Sequence, residues 1–77
     1  MSFEVAELVF EDPLHLTRQD RIVDGEMRWQ TIGTVSGILL LLVAHTVVDD
    51  EIGETHIHIM SARRALKLER KRYEQNP

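Results

Sequence analysis

Three groups of residues in this sequence have types and spacings that support chemistry. His45 ends the apolar run Ile38 to Ala44. A histidine there either hydrogen-bonds at the rim of the core or carries protons near neutral pH. Near the other end, Glu69 falls on the apolar stripe of an expected helix, with Tyr73 one turn further on and Arg63 upstream. A carboxylate in that place pairs with an arginine such as Arg28 or Arg63 and fixes its guanidinium, or it serves as a general base. The third group is His56-x-His58, two imidazoles on one face of a strand. They suit zinc only if Asp49, Asp50 or His45 approaches, and otherwise they are a solvated surface.

Much chemistry is absent. The chain has no cysteine, which removes disulfides, thiolate metal sites and Cys nucleophiles. There is no glycine-rich phosphate loop, no Gly-x-Ser-x-Gly elbow and no carboxylate pair set for glycoside hydrolysis. No metal site and no cofactor is expected. The chemistry that still fits so small a scaffold is metal-free RNA cleavage, in which the ribose 2′-OH of the substrate is the nucleophile. The protein then supplies a proton acceptor, cations for the pentavalent phosphate and a donor for the 5′ oxygen. Arginine suits the second task because its guanidinium grips phosphate at two points. His45, Glu69 and Tyr73 are candidates for the others.

The elements that must position these groups come from 77 residues with a net charge of −4. That length admits one domain, since two would each fall below the ~50 residues a domain usually needs. Charge is divided along the chain: residues 1–27 hold seven acids and two bases, and residues 61–77 hold two acids and six bases. The basic end reads either as a solvated helix face or as an electrostatic footprint for phosphates. The longest apolar stretch is too short for the ~20 residues of a membrane span, and residues 1–10 have no basic leader pattern. A cytoplasmic protein with no membrane contact is expected.

The spacing of Phe3, Ala6 and Phe10 predicts a helix over 2–10 with Ser2 as its cap, ended by Pro13. Residues 14–26 are polar and irregular, with a short extended piece at Arg21-Ile22-Val23 and a turn at Asp24-Gly25. Strands are predicted over 28–35, 38–48 and 55–60, joined by a Ser36-Gly37 turn and a charged loop at 49–54. The unbroken apolar character of the middle strand implies burial on both faces. Trp29 reads as a core anchor. Ser61 is expected to cap a last helix from Ala62 to about Gln75. The expected class is α+β, a three-stranded antiparallel meander flanked by an N-terminal and a C-terminal helix.

The residues also carry a likeness. Ser2-Phe3-Glu4-x-Ala6, Phe10-x-Asp12-Pro13, Asp24-Gly25-Glu26-x-Arg28-Trp29-x-x-Ile32-Gly33, His45-Thr46 and Ile59-x-Ser61-Ala62-Arg63 followed by Glu69-Arg70-x-x-Tyr73-Glu74 resemble the BrnT family of toxins. The resemblance implies the toxin of a type II toxin-antitoxin pair, with a fold similar to RelE-type ribonucleases, that degrades RNA and arrests growth. It implies a BrnA-type antitoxin partner, through which alone the complex meets DNA and represses its operon. Residue by residue it points to His45, Arg63, Glu69 and Tyr73 as catalytic. Arg28, Arg63, Arg64, Lys67 and Arg70 are then RNA-binding, and Trp29 and Ser61 structural.

Members of that family begin further upstream, with a Phe-x-Trp-Asp strand and a helix ending in Lys-His-Gly. This chain is therefore expected to be a shortened member, or one whose start lies too late. A sheet short of one strand has an open edge, which favours a homodimer or pairing with the antitoxin. Two functions follow: a ribonuclease toxin, or a catalytically inactive antitoxin-binding module in operon autoregulation.

Overall fold

The structure is a computed structural model and describes residues 2–75. Ser2 caps helix α1 (Phe3–Glu7), its hydroxyl accepting from Val5 N–H at 3.2 Å. The chain tightens into a 3-10 turn over Leu8–Glu11 and leaves it at Asp12, where Pro13 forbids further helix. Four strands follow, β1 (Leu16–Val23), β2 (Glu26–Val35), β3 (Leu39–Asp49) and β4 (Thr55–Arg64), and helix α2 (Lys67–Gln75) closes the order. The strands form one antiparallel sheet in sequence order β1-β2-β3-β4. No helix among the described residues is long and apolar enough to cross a membrane.

The fold is α+β, but two expectations are corrected. The meander has four strands rather than three, because residues 16–23 form β1 against β2. Most of β1 is exposed, and an edge strand with little burial needs no apolar alternation. Asp24 and Gly25, both at positive φ (51° and 80°), make the two-residue turn that pairs it with β2. The last helix begins at Lys67 rather than Ala62. Ser61 to Arg64 stay in β4, paired with Ala44 to Leu41, so Ser61 caps nothing. Ala62 is thereby laid against the core under α1.

β3 is buried on both faces, as its composition requires. On one face Leu41, Val43, Val35 and Ile59 pack against Ala6 and Val9 of the N-terminal segment. On the other, Ile32, Leu40 and Leu42 pack with Leu16, Ala65 and Tyr73. Gly33 makes the first contact possible. A Cβ there would lie 2.9 Å from both Val9 Cγ1 and the Val9 carbonyl oxygen, so only glycine lets the 3-10 turn come this close to β2.

Candidate active site and RNA-facing surface

Arg63 is the fixed point of the site. Its Nη1 and Nη2 donate to Glu69 Oε1 and Oε2 at 2.7 and 2.8 Å, a two-point pair. Nη1 also donates to the Arg64 carbonyl at 3.2 Å. Glu69 in turn accepts the Leu66 N–H at 2.8 Å. Leu66 precedes α2, and its carbonyl accepts the first helical bond from Arg70 N–H, so Glu69 is the reaching-back half of a helix cap. The Arg63 hydrogen bonds hold the Glu69 carboxyl down to about 2 against some desolvation, and Glu69 raises Arg63 above its ordinary value. At neutral pH this carboxylate is a clamp on a guanidinium, far from the affinity for protons a general base needs.

Strand register identifies the company Arg63 keeps. Leu16, Ile32, Leu42 and Arg63 form one rung across the sheet, and Arg18, Gln30, Ala44 and Ser61 the rung two residues along on the same face. Arg28, two residues before Gln30 in β2, continues that face. α2 covers the face only at its Leu40 and Ile32 end, leaving a small cavity lined by Leu16, Arg18, Gln30, Ile32, Leu42, Glu69 and Arg72. Arg18, Arg28, Arg63 and Arg72 thus collect on one side of an acidic protein. Arg28 approaches Glu26 at 3.7 Å, and its Nε is buried with no hydrogen-bond partner among the described residues.

His45 and Arg64 lie apart from this face, while Tyr73 packs on it against Ile32, Leu40 and Leu42. His45 sits on the opposite face, 1% exposed, edge-on to Phe10 with ring centroids 5.1 Å apart. Its Nε2 and the Thr31 hydroxyl are 2.7 Å apart, and Thr31 meets the Thr17 hydroxyl at 2.8 Å. With Nδ1 3.3 Å from the Thr46 carbonyl, a neutral ring that donates from Nδ1 and accepts at Nε2 satisfies the whole chain of groups. Burial pushes the His45 pKa down, partly opposed by the Thr46 carbonyl. His45 therefore does not meet a solvent-borne substrate in this arrangement. Trp29, its neighbour across the strands, is half-buried on the same face.

Tyr73 donates to Asp12 Oδ2 at 2.6 Å, and burial together with that anion raises its pKa. Arg64 pairs with Leu41 and so points to the α1 side, away from Arg63. Lys67 and Arg70 are exposed on α2, Arg70 lying 3.8 Å from Glu74. Of the residues expected at the site, the structure brings Arg63 and Glu69 together and places Arg28 on their face. It does not bring His45 or Arg64 there.

Sequence reasoning missed Arg18, Arg72, Thr31 and Asp12. Arg18 alternates with Leu16 in what proved to be β1, a signal obscured by the polar composition around it. Among possible metal ligands, Asp50, Glu54 and His56 have donor atoms within 4.8 Å of one another. His56 Nε2 lies 2.8 Å from Asp50 Oδ2, so Asp50, rather than His58, is its neighbour in that group.

The family described as the ribonuclease toxin BrnT of type II toxin-antitoxin systems matches residues 1–69. No curated protein matches the chain. The match spans α1, all four strands and the Arg63–Glu69 pair, and on that coverage the chain belongs to the BrnT family of type II toxin-antitoxin ribonuclease toxins.

Proposed function

We propose that residues 1–77 are a single RelE-like toxin domain that cleaves RNA without a metal and is neutralised by a BrnA-type antitoxin, in the cytoplasm. The observation that carries this reading is the face holding Arg18, Arg28, Arg63 and Arg72 around a partly open sheet. A phosphodiester lying there has cations on several sides. The 2′-OH gives its proton to solvent and attacks the adjacent phosphorus. The P–O5′ bond breaks to leave a 2′,3′-cyclic phosphate, the 5′ oxygen takes a proton from solvent, and negative charge builds on the equatorial oxygens between those events. A guanidinium already fixed by Glu69 meets that charge without reorganising, which is where preorganised donors act most strongly. The partly exposed Arg28 guanidinium, 3.7 Å from Glu26, adds a further cation on the same face.

In this reading Arg63 touches the substrate, while Glu69, Tyr73 and His45 position other groups. Glu69 orients Arg63, Tyr73 anchors α2, and His45 holds β2 through Thr31. Arg64, Lys67 and Arg70 add long-range attraction for RNA. A homodimer through a sheet edge belongs to the same proposal, supported by β4 as a ten-residue edge strand, Thr55–Arg64.

Inducible expression tests the function. Growth arrest that an Arg63→Ala change removes, and that co-expression of a small antitoxin gene reverses, supports the toxin. Harmless expression of the folded wild-type protein contradicts it.

A further inference from the structure

Asp12 is a buried charge without a countercharge. It is 9% exposed, and its carboxylate accepts from four neutral donors. Leu14 N–H reaches Oδ1 at 2.9 Å. Thr34 N–H at 2.8 Å, the Thr34 hydroxyl at 3.0 Å and the Tyr73 hydroxyl at 2.6 Å reach Oδ2. Among the described residues no arginine, lysine or histidine forms an ion pair with it. Residues 2–17 contain no lysine or arginine at all. Its hydrogen bonds hold the anion, and the nearby imidazole of His15 meets the Asp12 carbonyl rather than the carboxylate. Buried anions are ordinarily paired as well, so a cation is the partner this carboxylate can still accept.

There is room for one. A groove of about 510 Å³ opens beside Asp12, lined by Leu8, Glu11, Pro13, Thr34, Ser36 and Gly37. Oδ1 accepts a single hydrogen bond and keeps a free acceptor direction, whereas Oδ2 is saturated. Leu8 and Pro13 supply apolar wall for an alkyl stem, and Glu11 supplies a second negative charge at the mouth. Leu14 and Ile38, next in sequence to the lining residues Pro13 and Gly37, are exposed at 57% and 84%, apolar surface that a small free amine would leave in water but a polypeptide could cover.

We propose that this groove, at the β2–β3 turn end of the sheet, receives an arginine or lysine side chain of a partner protein, with its head group on Asp12 and Glu11 and flanking apolar residues on Leu14 and Ile38. Only the identification of that partner with the antitoxin rests on the family reading. The site itself stands on Asp12 and the groove.

The test is a two-dimensional NMR titration of the 77-residue protein with three probes at constant ionic strength: the peptide acetyl-Leu-Arg-Ile-amide, its citrulline counterpart, and spermidine. The arginine peptide is expected to shift the amides of Leu14, Thr34 and Gly37 saturably, and the citrulline peptide is expected to leave them in place. The apolar flanks should make the arginine peptide bind about tenfold tighter than spermidine. Glu11→Gln, on an exposed residue, should weaken binding about two- to fivefold with the fold intact. Asp12→Asn, checked for its native spectrum, should abolish it. Equal response to the citrulline peptide, tighter binding of spermidine, or no saturable shift up to the solubility of the arginine peptide each overturns the proposal. None of these readouts depends on RNA cleavage, so failure here and failure of the ribonuclease reading are separable.

Discussion

The Tyr73 hydroxyl donates to Asp12 Oδ2 at 2.6 Å, tying the last helix to the residue that ends the N-terminal 3-10 turn. α2 buries no residue fully, so this bond and the Arg63–Glu69 pair do much of the work of holding it on the sheet. Tyr73→Phe keeps the ring among Ile32, Leu40 and Leu42 and removes the donor alone. The expected loss is about 1.5 kcal/mol in urea unfolding, the low end for a bond to a charged group because two other donors remain on Oδ2.

Acid should unfold the protein through the same carboxylates. The Asp12 carboxyl lies at about 2 against an ordinary 3.8: burial opposes the shift, but the Tyr73, Thr34 and Leu14 hydrogen bonds together outweigh it. Glu69 lies at about 2 against 4.5. Both folded values are below the unfolded ones, so their contribution is complete above about pH 5 and drains away as pH falls toward 2. Urea midpoints measured from pH 5 down to pH 2.5 should decline, and the decline should be shallower in Tyr73→Phe. A midpoint independent of pH over this window contradicts the assignment.

His45 gives a separate pH window. Its pKa is lowered by burial, so the unfolded chain takes up a proton before the folded one does. Stability attributable to His45 is therefore present above its ordinary 6.5 and falls as pH drops below it. Imidazole NMR should show His45 still neutral below its ordinary 6.5. A His45 that charges at or above that value refutes the buried Thr17–Thr31–His45 arrangement.

Gly33→Ala tests the packing of the N-terminal segment on the sheet. The new methyl would meet the Val9 carbonyl oxygen at 2.9 Å, and backbone cannot move aside as a flexible side chain can. A destabilisation of about 1–3 kcal/mol is expected, as for other overpacked cores. A neutral result would show that the 3-10 turn is not seated on Gly33.

Much of this arrangement was legible in the sequence, for identifiable reasons. The run through Leu39 to Val43 announced a strand buried on both faces, and Ser2 and Pro13 bracketed the first helical segment. Ser36-Gly37, at φ 56° and 69°, made the expected hairpin, and Glu69 found the arginine its position called for. What stayed hidden depended on pairing between distant segments. β1 is stabilised by β2 rather than by its own pattern, and Ala62 belongs to a strand only because β3 is there to bond it. Asp12 reads locally as a residue before proline. Its role appears only when Thr34 and Tyr73 arrive from elsewhere in the chain.

In the proposed function Arg63, held by Glu69, stabilises charge on a cleaving RNA phosphate. The direct measurement is cleavage of a labelled RNA by purified protein in excess EDTA, comparing wild type with Arg63→Ala and Glu69→Gln, each confirmed folded. EDTA-insensitive cleavage is expected, which Arg63→Ala lowers about 100-fold or more, as for loss of one preorganised donor, and which Glu69→Gln lowers less. Cleavage that needs a metal, or that survives Arg63→Ala unchanged, would contradict that function.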